Sequence, residues 1–303
     1  FSSVMGIGGL SVAWRRAARV WGVPSWPSVA LFWVAAAVFV LVLTLYLGKW
    51  VRHPAAARAE LRHPIRMSFA PTLTIAILIL ATAGQDLVPQ AARIAWWVGA
   101  VGHLAATVVV LSAWFNRADI VHSHVTPAWF IPIVGNVVTP LAAPALGSID
   151  LAWFAFGVGL VFWIALLPLL LVRVLVHSDP LPQKLLPTLA IFAAPPAVAG
   201  LSWGVLTGGS GEPSADPIGM ILYSATIMFV LLVLAQVGRL RRLPFAMPWW
   251  AYTFPSAAAA ASAIAMASTR PALVFDVVAV LLLALSTVVV AGASEPAPLQ
   301  FIA

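Results

Sequence analysis

The chain has 303 residues, of which 62% are hydrophobic and only 8% charged, with 16 Lys and Arg against 9 Asp and Glu (formal net charge +7) and no cysteine. A water-facing surface needs about 25% charged residues, so a soluble enzyme, a disordered chain and a nucleic-acid binder are excluded. Long apolar runs also exclude a porin, whose strands alternate, and the lack of cysteine removes disulfides, thiolate metal sites and thiol nucleophiles.

What remains is an all-α integral membrane protein. A bilayer core about 30 Å thick takes ~20 apolar residues per helix. Cutting the chain at its charge and turn clusters gives ten such runs, in one transmembrane domain over 1–303. The first residue is Phe1 rather than Met, so the natural start is expected further upstream.

Run 1 (1–21) reads as membrane-buried helix from its first residues and lacks the charged leader of a signal peptide. It has no proline but carries Gly6, Gly8 and Gly9, which do not make a dinucleotide fingerprint without a preceding strand. Run 2 (28–48) is bulky, as in Leu31-Phe32-Trp33, with Pro27 at its first turn, where proline is tolerated. Run 3 (67–83) contains Pro71. Run 4 (93–115) has His103 midway, read as a structural histidine in preference to a proton relay. His122-Ser123-His124 follows in a short loop without further ligands nearby, so it is read as surface and no metal is expected.

Run 5 (127–146) holds Pro132, Pro140, Pro144 and Asn136, and run 6 (151–176) has only Pro168. Run 7 (185–207) contains Pro195 and Pro196, whereas run 8 (217–238) starts at Pro217 and has Gln236 near its end. Run 9 (247–268) places Phe254-Pro255 before a run of small residues, Ser256 to Ser262. Run 10 (272–292) follows Pro271 and has Asp276 in its first turn, where the helix dipole favours a carboxylate.

Connections after the even-numbered runs hold eleven of the sixteen Lys and Arg residues. The positive-inside rule makes that side cytoplasmic, with both termini inside and Asp86, Asp150, Glu212 and Asp216 outside. Trp21, Trp26, Trp50, Trp114, Trp129, Trp203 and Trp249 lie near run ends and are read as interfacial anchors.

Interior prolines thus gather in the odd-numbered runs. A proline inside a helix removes one backbone hydrogen bond and bends it, and freed carbonyls survive at membrane depth only against protein or a water-filled cavity. The expected arrangement is five helical hairpins, with inner kinked helices around a central pore and straighter helices outside. A proline-kinked bundle without a lumen remains the alternative. No odd-numbered run has Asp, Glu, Lys or Arg near its centre, which favours passive conduction over a proton-coupled pump. The basic mouth (Arg62, Arg66, Lys184, Arg239, Arg241, Arg242) would attract anions, although positive-inside topology alone accounts for it. No nucleophile, base and oxyanion constellation can be assembled, so no enzyme and no cofactor are expected.

Phe254 stands at the expected kink, opposite small side chains, where a phenyl ring can plug a lumen and gate it by excluding water. Pro255 restricts Phe254 and would free the Ala251 carbonyl. A core aromatic filling the bend is the bland alternative. Met5, Phe69, Asn136 and Phe192 are the further candidates for lumen-facing positions on the other inner runs.

Five stretches carry a resemblance: FSSVMGIGGLSVAW (1–14), HPIRMSF (63–69), TPAWFIPIVGN (126–136), LAIFAAPPA (189–197) and WWAYTFPSAAAAAS (249–262). In this order, on ten runs, they resemble the tellurite-resistance/dicarboxylate-transporter family, to which bacterial TehA-like proteins and the plant slow anion channel of guard cells belong. The resemblance implies a homotrimer of the bacterial inner membrane with one pore per protomer, occluded by Phe254, and chloride- or nitrate-like anions as partners. Other members are described as carriers of malate or related C4-dicarboxylates, sulfite or tellurite. Counterparts of the plant channel's long regulatory termini are not expected, so its phosphorylation control is not carried over, and the proline cluster of run 5 is a departure. Three functions follow as candidates: a passive anion channel, a carrier or efflux protein for small organic or oxo-anions, and a membrane scaffold without transport.

Overall fold

A computed structural model describes residues 1–176, 181–208, 216–240 and 247–294. Each apolar run is helical, with bounds within a few residues of those expected. The helices are α1 (Ser2–Trp21), α2 (Trp26–Arg52), α3 (Pro54–Arg62), α4 (Thr72–Gly84), α5 (Pro89–Phe115), α6 (Phe130–Val134) and α7 (Ala143–Leu146). They continue with α8 (Ile149–Leu175), α9 (Ala194–Thr207), α10 (Pro217–Ala235), α11 (Val237–Leu240), α12 (Thr253–Thr269) and α13 (Leu273–Ala293), and the described residues contain no strand. α3, a short helix with Ala57 buried and Arg58 and Arg62 exposed, lies in a connection read from sequence as a loop.

Among the described residues, eight helical segments, against the ten expected, are long and apolar enough to cross a membrane. The two that fall short have local reasons. α12 has 17 residues, many of them Ala, Ser and Thr, and α1 carries Arg15, Arg16 and Arg19 in its C-terminal turns. Burial separates the segments into two classes. Within their apolar windows, Arg66–Gly84, Pro127–Leu146 and Gln183–Thr207 are 67–72% buried, whereas α2, α5, α8, α10 and α13 are 17–33% buried. α1 is buried from Val4 to Ala13 and α12 from Ala257 to Ala267. The five outer helices expose Val40, Val108, Val161, Ile221 and Val288 by 62–69%, an apolar surface suited to lipid.

The inner segments form a closed ring: α1 packs on α4, α4 on Gly135–Ala142, that stretch on α9, α9 on α12, and α12 on α1. Each also packs on the outer helix that follows it: α1 on α2, α4 on α5, Gly135–Ala142 on α8, α9 on α10 and α12 on α13.

Proline acts less by kinking continuous helices than by tightening or restarting them. Pro140 and Pro187 lie inside 3-10 stretches, Gly135–Ala142 and Gln183–Ala193, while Pro71 precedes α4 and Pro195 stands in the first turn of α9. Pro255 likewise occupies the first turn of α12, where an N–H has no helical partner anyway. The expected bend at Phe254 is therefore a junction between 3-10 and α-helix. Thr253 Oγ1 donates to Trp250 O across it at 2.8 Å. Pro168 lies within α8 without interrupting it.

Carbonyls of the broken segment 127–146 find side-chain donors. Thr107 Oγ1 donates to Pro132 O (2.7 Å), Asn136 Nδ2 to Ile133 O and Thr107 Oγ1 (2.8 Å each), Ser202 Oγ to Val137 O (2.5 Å) and Trp96 Nε1 to Thr139 O (2.9 Å). This is the accounting that backbone at membrane depth requires. Replacing the fully buried Asn136 with Ala removes its bonds to Ile133 O and Thr107 Oγ1 and is expected to cost about 1–3 kcal/mol, measured as a lower denaturation midpoint in detergent.

Charged and polar groups collect at the two ends. At one, Asp86 pairs with Arg19 (2.7 Å) and Arg15 (3.4 Å), while Arg15 also donates to Thr82 O and Ala83 O (2.7 and 3.1 Å) in the last turn of α4, where a cation meets the negative dipole end. Trp21 Nε1 donates to Asp276 (3.1 Å) and Trp203 Nε1 to Asp216 (2.8 Å). Elsewhere Lys49 pairs with Glu60, and Arg117 with Asp119 while donating to Arg62 O. Hydrogen bonds from Arg117 hold the exposed Asp119 carboxyl down to about 2. Trp129 differs from the anchoring expectation: it is 7% exposed and stacks on Trp114 with centroids 4.2 Å apart, a packed pair. Glu212, Arg241 and Arg242 lie outside the described residues, as does the side chain of Arg239.

Candidate functional site

The ring of inner segments encloses a cavity of about 80 Å³, room for a handful of water molecules. Every inner segment contributes to its wall: Met5 from α1, Phe69 and Thr72 at the entry to α4, Phe130 and Val134 from α6, Pro195 from α9, and Phe254 with Pro255 from α12. Thr72 and Ser2 are the polar side chains among the lining residues, and no ionisable group is among them. Such a wall offers an ion no compensating charge, so water and ions enter only at the cost of their hydration.

Phe254 is half-buried, and its position depends on glycine. α1 and α12 approach so closely that a Cβ at Gly6 would collide with the Thr253 side chain. A Cβ at Gly9 would lie 3.3 Å from both the Phe254 ring and the Ala257 Cβ. The two glycines of run 1 thus give the aromatic ring its seat, a use of glycine for close backbone approach.

Of the sequence-derived candidates, the cavity brings together Met5, Phe69, Phe254 and Pro255. Asn136 and Phe192 are not part of its wall. Asn136 is turned toward α5, where its amide serves Thr107 and the Ile133 carbonyl. Phe192 is 4% exposed, packs edge-on to Phe130 (5.6 Å) and stacks on Phe229 of α10 (5.5 Å), so it backs the wall from behind. Sequence reasoning missed Phe130, Thr72 and Trp250 as lining residues. Phe130 and Val134 sit four apart, an ordinary helical signal, but one indistinguishable from the rest of an apolar run.

His103 is fully buried and shares a hydrogen bond with Thr74 Oγ1 (2.8 Å), and its ring abuts Gly135, a wall residue. It stands behind the cavity, in keeping with a structural role. At the His122–His124 turn, His124 Nδ1 accepts the Val121 N–H at 3.3 Å, so that ring caps its own loop. Arg62, Arg66 and Lys184 are exposed.

The family model described as voltage-dependent anion channel (SLAC1) matches residues 1–294. The chain belongs to this family. Relatives include an uncharacterized transporter of Methanocaldococcus jannaschii, 28% identical over 278 residues, covering 84% of this chain and 80% of the relative. The S-type anion channel SLAH3 of Arabidopsis thaliana is 26% identical over 298 residues, and the tellurite resistance protein TehA homolog of Haemophilus influenzae is 26% identical over 266. The matches cover 96% and 88% of this chain, but 46% of SLAH3 and 79% of the TehA homolog. This chain therefore spans just under half the length of the plant relative. Among voltage-dependent anion channel proteins, it is a helical membrane member with several apolar crossings.

Proposed function

We propose that this protein is a passive channel for small anions such as chloride and nitrate, occluded by Phe254. The observation that carries the reading is the cavity at the centre of the inner ring: five segments supply its wall, Phe254 is part of that wall, and no lining residue is ionisable. A charge-free conduit has nothing with which to couple flux to a proton. Transferring a small ion into a medium of low dielectric constant costs of order 20 kcal/mol in the idealised limit, so an apolar constriction blocks ions without a complete steric seal. Family membership and the name of the SLAH3 relative support anions as the permeant class.

In this reading α1 and α12 complete ten crossings arranged as five hairpins. The single channel domain lies in a bacterial inner membrane as a homotrimer, with both termini cytoplasmic and the Lys49–Glu60 and Arg117–Asp119 end facing inward. Pro255 supports the gate by fixing the start of α12. The second reading, a carrier or efflux protein for malate-like dicarboxylates, sulfite or tellurite, is favoured by the names of the transporter and tellurite-resistance relatives.

Purified protein in liposomes, offered chloride, nitrate, malate and sulfite in turn, separates the readings. The channel predicts chloride and nitrate flux that does not saturate over a wide concentration range and resolves into single-channel steps in a planar bilayer. Saturable malate or sulfite flux without steps would establish the carrier instead, and no flux of any ion, from the native protein or from Phe254→Ala, would leave the scaffold.

A further inference from the structure

A second, larger cleft lies directly behind the gate. It measures about 460 Å³, against about 80 Å³ for the cavity at Phe254, and the two share Pro255 as a wall residue. The geometry points to this cleft as a binding site for the acyl chain of a bilayer phospholipid, bearing on the helix start that carries Phe254.

Placement and chemistry identify the occupant. The floor is Ala193, Pro255 and Ala259, all buried, and the rim is Leu234 of α10 and Val288 of α13, exposed by 41% and 69%. α10 and α13 both pack on α12 but are not among the helix pairs that pack on each other, so the cleft opens between two outer helices whose exposed faces are apolar. Its volume falls within the range of about 300–1,000 Å³ typical of small-molecule sites. An apolar void of that size is unfavourable to leave empty, and water does not fill it, for want of polar partners. A hydrocarbon chain entering sideways from the bilayer satisfies both conditions.

One polar atom marks where the chain's ester would sit. Tyr252 lines the cleft, and its hydroxyl is buried with no hydrogen-bond partner among the described residues. The neighbouring Ser256 hydroxyl is already committed to Thr253 O at 2.9 Å. A buried phenol normally finds a partner, and an ester carbonyl is an acceptor that a phospholipid brings with it. A filled cleft supports Pro255 from behind and holds the first turn of α12 against the ring of inner segments, while an emptied cleft leaves that turn free to move away from Gly9.

The binding half of this inference stands alone; the coupling half rests on Phe254 being the gate. Full-length protein is placed in nanodiscs of phosphatidylcholine and phosphatidylglycerol containing a phosphatidylcholine with a diazirine on its acyl chain, then irradiated and digested. Adducts are expected on peptides of α10 and α13 around Leu234 and Val289. They should fall about tenfold in Val289→Trp, where a bulky side chain occupies the site, with Leu285→Phe as a second filling variant should the first not fold. Labelling spread evenly over the exposed residues of α2 and α8 as well, or unchanged in both variants, overturns the site. So does label that enters only from a free diazirine fatty acid, only after residues 295–303 are removed, or not at all in an oligomer that Val289→Trp dissociates; each assigns the cleft another occupant. For the coupling, Val289→Trp should change anion flux in the otherwise native protein and leave Phe254→Ala unaffected. Expected labelling with no change in flux, or with no flux in any variant, keeps the lipid site and overturns its link to the gate.

Discussion

Phe254→Ala should raise anion conductance by about tenfold or more, the change that accompanies each 1.4 kcal/mol removed from a barrier. The ring is part of the cavity wall and lies beside Gly9, and truncating it leaves a small side chain on that side. Widening an apolar constriction by one phenyl group admits continuous water and relieves an ion of part of its dehydration cost. Phe254→Leu should fall between the native protein and the Ala variant, and Phe254→Trp should stay closed. Planar-bilayer recordings in symmetrical chloride provide the measurement, with potassium substitution checking that cation conductance remains low. A Phe254→Ala protein that folds, inserts and conducts no more than the native chain would refute the gate.

Gly6→Val should be the most disruptive small substitution in the membrane core. Its Cβ alone would overlap the Thr253 side chain, which is fully buried and whose hydroxyl is tied to Trp250 O. Neither α1 nor α12 can retreat without opening the inner ring. Overpacking of this kind costs about 1–3 kcal/mol or more, so a sharply lower yield of folded protein and an earlier thermal transition by gel filtration are expected. Gly48→Ala in α2 is the matched control. Nothing lies within 4 Å of its Cβ, and the greater helix propensity of Ala should leave stability unchanged or raised by about 0.5–1 kcal/mol. Equal losses at Gly6 and Gly48 would remove the argument for close approach.

Much of the architecture was legible because membrane solvation enforces it. Apolar run length located the helical segments, and interior prolines separated Arg66–Gly84, Pro127–Leu146 and Gln183–Thr207 from the lipid-facing helices. Freed carbonyls cannot face lipid, so that proline pattern is read through a strong constraint. Helix rotation was not legible. A 3-10 helix advances about 120° per residue and an α-helix about 100°, so within the eight residues Gly135–Ala142 the two diverge by more than a right angle. No sequence periodicity signals which winding applies, and Asn136, expected on the lumen side, donates instead to the Thr107 hydroxyl of α5 and to Ile133 O. Phe192 fails for a related reason: it is near the end of the eleven-residue 3-10 stretch Gln183–Ala193. Phe254 stands next to a proline at a junction and lines the cavity, but so does Trp250 of the same segment, which the sequence did not single out.

The contact that closes the inner ring joins α1 to α12, two helices separated by most of the polypeptide. During synthesis, therefore, the first four walls are in the membrane well before the fifth emerges from the ribosome. Until then the glycine face of α1 lacks the partner that it packs against in the finished ring. A nascent chain that ends before Thr253 lacks the segment that closes the ring, and on the proposed reading that same segment brings the stopper.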